Sequence, residues 1–450
     1  MNFPAPRTYG IMMFPGRDCH TLNFAKACII VIACFLMVFG SSLAVRAADA
    51  PTDHPLTLQE CIDYALKQHS SVLIAQKDVI ASQAGLRSAT AGFLPRITVG
   101  SDFTGNGSST AGINTSDNGT RSLIGVEETL WDGGRIQTSI RQARASNVAT
   151  QADYELTRQD RVLAVTIAYF TALRAKSLAD IAAQSVAESE GQRELIQARI
   201  DEGDAARVDI YPVEVLLANA KLNKLQADND VRVAMSVLRN VIGFDRGPEL
   251  QLVDVEEPSN TVGSFDECLT FALADRPEIT RSNAQLDSSR AGLSLAKLQA
   301  LPVLSVGAGF DRALGGLDYD NQWSVGVGVS MSIFDGGAIA AGIDSAKART
   351  DSAILGNDQL TKDVTTEVEE AYLNLTNAFE RLAASKPSVE LAKTNLEVAR
   401  EKYRQQLAIP LEIVTAQVSY ADAQASHAQA LYDCYVARAQ LDKAMGKRGY

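Results

Sequence analysis

A chain of 450 residues has length for two or three domains or for one long helical assembly, and at 46% hydrophobic it is too apolar to stay disordered. A net charge of -12 excludes a surface built to neutralise phosphates, so no nucleic-acid partner is expected. Histidines at 20, 54, 69 and 427 form no metal-ligand spacing, and no nucleophile elbow, P-loop or dinucleotide fingerprint appears, so neither an enzyme nor a cofactor is suggested.

At the N-terminus, Arg7, Arg17 and Lys26 precede an apolar run from Ala27 to Phe39, then Gly40, Ser41 and Ser42, with Val45 and Ala47 at the small positions of a cleavage site. This layout predicts a signal peptide over 1–47, and its removal takes away four basic and one acidic side chain, leaving a net charge of about -15. An uncleaved anchor is the alternative, although the apolar run is barely long enough to span. Cys34 resembles a lipoprotein cysteine, but Phe35 to Phe39 stay apolar where a mature lipoprotein turns polar. Cleavage leaves Cys61, Cys268 and Cys434, an odd number that argues against a disulfide framework.

After a short lead over 48–57 the chain is written twice. Glu60-Cys61-Ile62 recurs as Glu267-Cys268-Leu269, and Leu94-Pro95 to Phe103 recurs as Leu301-Pro302 to Phe310, both at an offset of 207. Beyond a four-residue deletion in a Gly, Asn and Ser-rich loop the offset becomes 203: Trp131-Asp132-Gly133-Gly134 answers Phe334-Asp335-Gly336-Gly337, and Leu238 with Gly243 answers Leu441 with Gly446. The copies run over 58–243 and 265–446, joined by a linker over 244–264 that carries Pro248, Pro258 and Gly263, with a tail at 447–450.

Each copy reads helix, strand, loop, strand, long helix, tight turn, helix. The β-hairpins are expected at about 97–131 and 303–334. Ile97, Val99 and Phe103 share one face against Thr98, Gly100 and Asp102 on the other. In the second copy Trp323, Val325, Val327, Val329, Met331 and Ile333 alternate with Ser324, Gly326, Gly328, Ser330 and Ser332, a period of two with glycine and serine on the small face. Roughly 65 proline-free residues lie between Gly134 and the turn near Gly203, enough for a helix of about 100 Å at 1.5 Å per residue. Heptad seams run through Val213, Leu217, Ala220, Lys224, Ala227, Val231, Ala234 and Leu238, and through Ile413, Ala416, Tyr420, Ala423, His427, Ala430, Cys434, Ala437 and Leu441. A further pair runs through Val165, Ala168, Ala172, Ala175 and Ala179 and through Val364, Val368, Ala371, Leu375, Ala378 and Leu382. Seams so rich in alanine let helices approach closely as a thin lattice. Cys61 and Cys268 read as small buried residues, and His427 as a hydrogen-bonded or water-facing seam residue.

Strands with one lipid-compatible face need a closed barrel, because an open edge in hydrocarbon leaves backbone groups unpaired. Four strands are too few to close, so several chains must pool theirs. A soluble periplasmic coiled-coil adaptor or structural rod explains the seams equally well but leaves the strands idle.

The duplicated order, the Leu-Pro at 94–95 and 301–302, and the (Trp/Phe)-Asp-Gly-Gly at 131–134 and 334–337 resemble the TolC-like outer membrane factor family over nearly all of the mature chain. The resemblance implies a mainly α protomer with a small β part, joined as a homotrimer into a 12-stranded outer membrane β-barrel and an α-helical tunnel across the periplasm of a diderm bacterium. It implies an exit duct of a tripartite efflux pump or type I secretion system, docked to a periplasmic adaptor (membrane fusion protein) and an inner membrane pump or ABC exporter.

It also implies a gate at the periplasmic turns. Asp209 matches the acidic gate position of the first turn and Tyr403 the aromatic one of the second. The arginine that the family places near Tyr403 is Ala408 here, leaving Arg207 or Arg404 as substitutes. Glu412 begins the constricting acidic ring, whereas the second acidic position is Thr415, so a weaker constriction is expected. The adaptor-contact turns are Gly203, Asp204 and Ala205 in copy one and Gln406, Leu407 and Ala408 in copy two, where Gln406 stands in place of the turn glycine. Asp209 and Glu412 equally suit helix N-termini, where the dipole favours acids, and Tyr403 equally suits simple packing.

Overall fold

The computed structural model describes residues 55–110, 113–244, 250–255, 263–314 and 321–447, so the expected signal peptide lies outside the described residues. The first repeat comprises α1 (Leu58–Gln68), α2 (Ser70–Thr90), β1 (Arg96–Thr110), β2 (Ile113–Trp131), α3 (Arg135–Glu202) and α4 (Ile210–Ile242). The second comprises α5 (Phe265–Asp275), α6 (Pro277–Leu298), β3 (Val303–Leu314), β4 (Asn321–Ser330), α7 (Ala338–Arg404) and α8 (Pro410–Ala444).

The single leading helix expected in each copy is two helices in the structure. Thr57 and Ser264 open α1 and α5 with capping boxes closed by Glu60 and Glu267. After eleven helical residues the backbone turns extended, at His69 (ψ 130°) and at Arg276 (ψ 128°). Pro277 forces this on Arg276, because a proline ring crowds a preceding helical residue. At His69 the ring does the work: Nδ1 accepts the Ser71 N–H at 3.2 Å and caps α2.

These breaks are seats for the far ends of the repeats. Gly243 and Gly446 end α4 and α8 in left-handed conformations, φ +89° and +72°. A Cβ on Gly243 would meet the His69 Cα at 3.4 Å, and one on Gly446 would meet the Arg276 N at 2.9 Å. Arg276 is 3% exposed and bonds Glu278 at 2.8 Å and Glu367 of α7 at 2.7 Å, fixing the second joint to the long helix.

Three buried clusters follow the seams. One joins α1, α3 and α4 around Tyr169, Leu238 and Ile242; a second joins α5, α7 and α8 around Val368, Leu375 and Leu441. The third ties the two helical turns together through Ile196, Val213, Leu396, Tyr403 and Ile413. Cys61 and Cys268 are buried as expected, and burial pushes the Cys61 thiol up to about 12. His427 Nδ1 lies 2.9 Å from Ser385 Oγ, the hydrogen-bonded seam position anticipated for it. Lys224 instead turns aside to pair with Asp228 at 2.7 Å.

The segment read as a linker is partly core. Leu252 bridges to Leu56, Leu250 and Leu252 are buried, and the Tyr169 hydroxyl donates to the Val253 carbonyl at 2.6 Å. Burying Leu250 and Leu252 stabilises by roughly 1.5–3 kcal/mol each, more than a passive connector would contribute.

The strands form one antiparallel sheet in the order β1-β2-β3-β4. Val99, Ile124, Phe310 and Trp323 stand side by side across all four strands, and Ile97, Val126, Ala308 and Val325 form the next such row. Rows of the opposite face run Thr98, Gly125, Gly309, Ser324 and Glu127, Gly307, Gly326. The apolar face is bare, with Val99 and Trp323 each 77% exposed. β4 ends at Ser330 rather than continuing through Ile333, because its partner β3 starts at Val303, directly after Pro302, and leaves nothing to pair beyond.

Each hairpin passes into its long helix by the same device. Asp132 accepts N–H bonds from Gly134 and Ile136, and Asp335 from Gly337 at 2.9 Å and Ile339 at 2.6 Å. Both glycines of each pair are left-handed, φ +69° to +92°, which is why two glycines follow the aspartate. Only the first copy adds a clasp: Arg135 donates from Nε to the Leu298 carbonyl at 3.0 Å and from Nη2 to the Gln299 carbonyl at 3.1 Å and the Leu301 carbonyl, holding the end of α6. Its counterpart in the second copy is Ala338.

Candidate functional site

The turns α3–α4 and α7–α8 lie together at one end of the helices, joined by the third cluster. Both close by the same backbone pattern: Gly203 N–H donates to Ile200 and Asp204 N–H to Arg199, as Gln406 does to Tyr403 and Leu407 to Lys402. This is a Schellman motif, which needs a left-handed residue one step past the helix. Gly203 supplies it at φ +85°, and Gln406 adopts it at φ +63° with a full side chain. Gln406→Gly is therefore expected to raise stability and Gly203→Ala to lower it, each by about 1 kcal/mol. Opposite shifts in the temperature at which the detergent-solubilised protein loses helical circular dichroism would register both.

Tyr403 sits at the centre, 5% exposed. Arg199, in the last turn of α3, stacks its guanidinium 4.8 Å from the Tyr403 ring centre and donates from Nη1 to the Tyr403 carbonyl at 2.9 Å. Burial pushes the Tyr403 phenol up, the Arg199 charge works the other way, and the Asp209 carboxylate adds to the rise. The Asp209 Oδ2 accepts the Ala206 N–H at 3.2 Å and closes the one-turn helix of residues 207–209.

Over Tyr403 the structure sets Arg199 rather than the Arg207 or Arg404 read in the sequence, and Asp209 is bonded within its own turn. Arg404 pairs with Glu401 at 3.7 Å and is 70% exposed, Arg207 is exposed, and Arg199 alone covers the ring. Its signal in the sequence was slight, a basic residue in the last turn of a helix, which the dipole alone explains. Glu412 is exposed in the first turn of α8, and Thr415 bonds back to the Leu411 carbonyl at 2.8 Å. Gly203, Asp204, Gln406 and Leu407 are exposed on the turns, with Ala205 and Ala408 half-buried beside them. Leu407, Ile409 and Leu411 on one turn and Val208, Tyr211 and Val215 on the other are apolar and bare.

The sequence model of the family described as "Outer membrane efflux protein" matches residues 61–244 and 269–447, one stretch in each repeat. The chain belongs to the outer membrane efflux protein family. This efflux-family protein is 23% identical over 432 residues to the outer membrane efflux protein BepC of Brucella suis, covering 94% of this chain and 91% of BepC. It is 23% identical over 315 residues to the outer membrane protein TolC of Vibrio cholerae, covering 67% of this chain and 72% of TolC. The solved structure of the transmembrane channel CusC shares the fold, with a TM-score of 0.77 at 17% identity over 91% of this chain and 96% of CusC. The TolC-like fold class read from the sequence therefore stands, and with it an outer membrane location with helices extending into the periplasm. A soluble coiled-coil adaptor or rod is set aside on the same grounds.

Proposed function

We propose that three copies of this chain build one tube that serves as a passive exit duct, gated at its periplasmic end. The sheet carries the reading. One face carries the apolar rows of Val99, Ile124, Phe310 and Trp323 and of Ile97, Val126, Ala308 and Val325, the other is rich in glycine, serine and threonine, and β1 and β4 are edges that no other described strand pairs. In hydrocarbon such edges are costly, so neighbouring copies must supply the missing partners and close a barrel of twelve strands, four from each. The long helices then continue that barrel as a second cylinder.

The bare apolar residues on the two turns support docking of a periplasmic adaptor there, with an inner membrane pump or ABC exporter behind it supplying the energy. Arg199 and Tyr403 fasten the second helical hairpin to the first at the gate, and Asp209 and Glu412 place negative charge at the narrow end. Arg199 over Tyr403 contributes about 1 kcal/mol, a severalfold effect on opening.

Planar-bilayer recordings test this. The wild type is expected to show small, cation-preferring currents. Arg199→Ala raises open probability severalfold, and Asp209→Asn with Glu412→Gln raises conductance while weakening cation preference. A wild type that forms no pore rejects the duct, and variants indistinguishable from a conducting wild type reject the gate.

A further inference from the structure

The two long helices are not equivalent in their backbones. α3 contains no proline, whereas α7 holds Pro387 in its interior, at the position that Gln184 occupies in the first copy. Proline has no N–H to give the Ala383 carbonyl, and its ring crowds that carbonyl, so the helix is weakened at this level.

The surroundings are weak at the same level. No residue of α7 between Ala378 and Leu396 is buried within the chain. The other three helices thin out beside it, with nothing buried between Ala175 and Ser189, between Ala220 and Ala234, or between Gln417 and Ala428. Polar fasteners bracket the gap. On the barrel side Asp433 of α8 holds Arg381 of α7 at 2.8 Å and Arg174 of α3 at 3.5 Å; on the turn side Arg400 of α7 holds Glu188 of α3 at 2.8 Å. Ser385, two residues before the proline, donates to the Leu382 carbonyl at 2.8 Å and meets His427 of α8, anchoring the last sound turn.

We infer that Pro387 is a hinge, about which the turn-side part of α7 (residues 388–404) swings with the start of α8 while α3 remains a continuous strut. Opening of the duct is then a motion of the second hairpin alone. Tyr403 rides on the moving arm and its clamp Arg199 sits on the fixed one, so the gate lies where the two arms part. The inference rests on the duct reading, and its experiment separates the two.

Spin labels on Thr376→Cys and Glu397→Cys, exposed positions flanking the hinge in the full-length protein in detergent, measure the bend directly. A straight helix sets them about 32 Å apart. With doubly labelled chains diluted into an excess of unlabelled copies, so that each tube carries one labelled chain, the wild-type background is expected to give a broad or two-component distance distribution and Pro387→Ala a single narrow one near the straight-helix value. In bilayers Pro387→Ala is expected to cut open probability at least fivefold with trimer yield unchanged, and to keep the tube shut even when combined with Arg199→Ala. Equal distance distributions in the two backgrounds, or a Pro387→Ala channel that opens as often as the wild type, overturn the hinge. Absence of current in the wild type rejects the duct and leaves the distances to decide the hinge.

Discussion

Gly446→Ala is expected to destabilise the assembly by about 2–5 kcal/mol, built from about 1–2 for a left-handed alanine and about 1–3 for overpacking. The residue has φ +72°, and the added methyl would stand 2.9 Å from the Arg276 N and 3.0 Å from both the Arg276 Cα and the Asp275 C. All three are backbone atoms of the joint between α5 and α6, so relief requires moving a helix end rather than rotating a side chain. Gly243→Ala is the internal control: φ is +89°, but the nearest atom is 3.4 Å away, so only the conformational part is lost. Heating the detergent-solubilised protein and following its conversion to monomer on gels compares them. Gly446→Ala should fall far below the wild type and Gly243→Ala modestly; equal losses would mean that the collision is absorbed elsewhere.

Arg276→Met is expected to cost about 3 kcal/mol, the lower end for breaking a buried ion pair. Glu278 is 13% exposed and would stay in place without its partner. Burial alone would raise the Glu278 carboxyl, but the Arg276 bonds and charge, with its backbone N–H bond, hold it below the usual carboxylate range. A group with a depressed folded pKa adds stability above its unfolded value and loses it as pH falls through the folded one. The wild type should thus lose this contribution on acidification. In Arg276→Met the burial remains while only the backbone N–H bond and Lys443 still lower the carboxyl, so the carboxyl rises and the loss of stability on acidification becomes smaller than in the wild type. Thermal midpoints at pH 7 and pH 4 read the difference, and Arg276→Met combined with Glu278→Leu should recover most of the loss at pH 7. A variant that tracks the wild type at both pH values would contradict the pairing.

Much of this fold was legible because repetition doubles each signal. Of the seam residues, Val364, Val368, Ala371, Leu375 and Ala378 are buried with Leu382 half-buried, and Val165, Ala168, Ala172 and Ala175 are buried with Ala179 half-buried. The strands were legible because their two faces meet different surroundings, which writes a period of two into the sequence. What stayed hidden depended on contacts distant in sequence. Arg276 before Pro277 marked a helix break that could have been read, but His69 needed its own ring as a cap. Leu250 and Leu252 looked like a connector because their partner Leu56 lies almost two hundred residues away. Arg199 was missed for the same reason: nothing in the neighbourhood of Tyr403 in sequence points to the end of a helix in the other repeat.

In the ring proposed above, Arg135 and its counterpart Ala338 would give two kinds of shoulder where sheet passes into helix. Within one copy the shoulder at Arg135 is riveted by a guanidinium gripping three carbonyls, whereas Ala338 has no side chain with which to do the same. A newly exported chain can therefore set its own shoulder before it meets another copy, and ring closure becomes a meeting of finished pieces. Any widening at the lipid-to-periplasm border should begin at the three Ala338 shoulders.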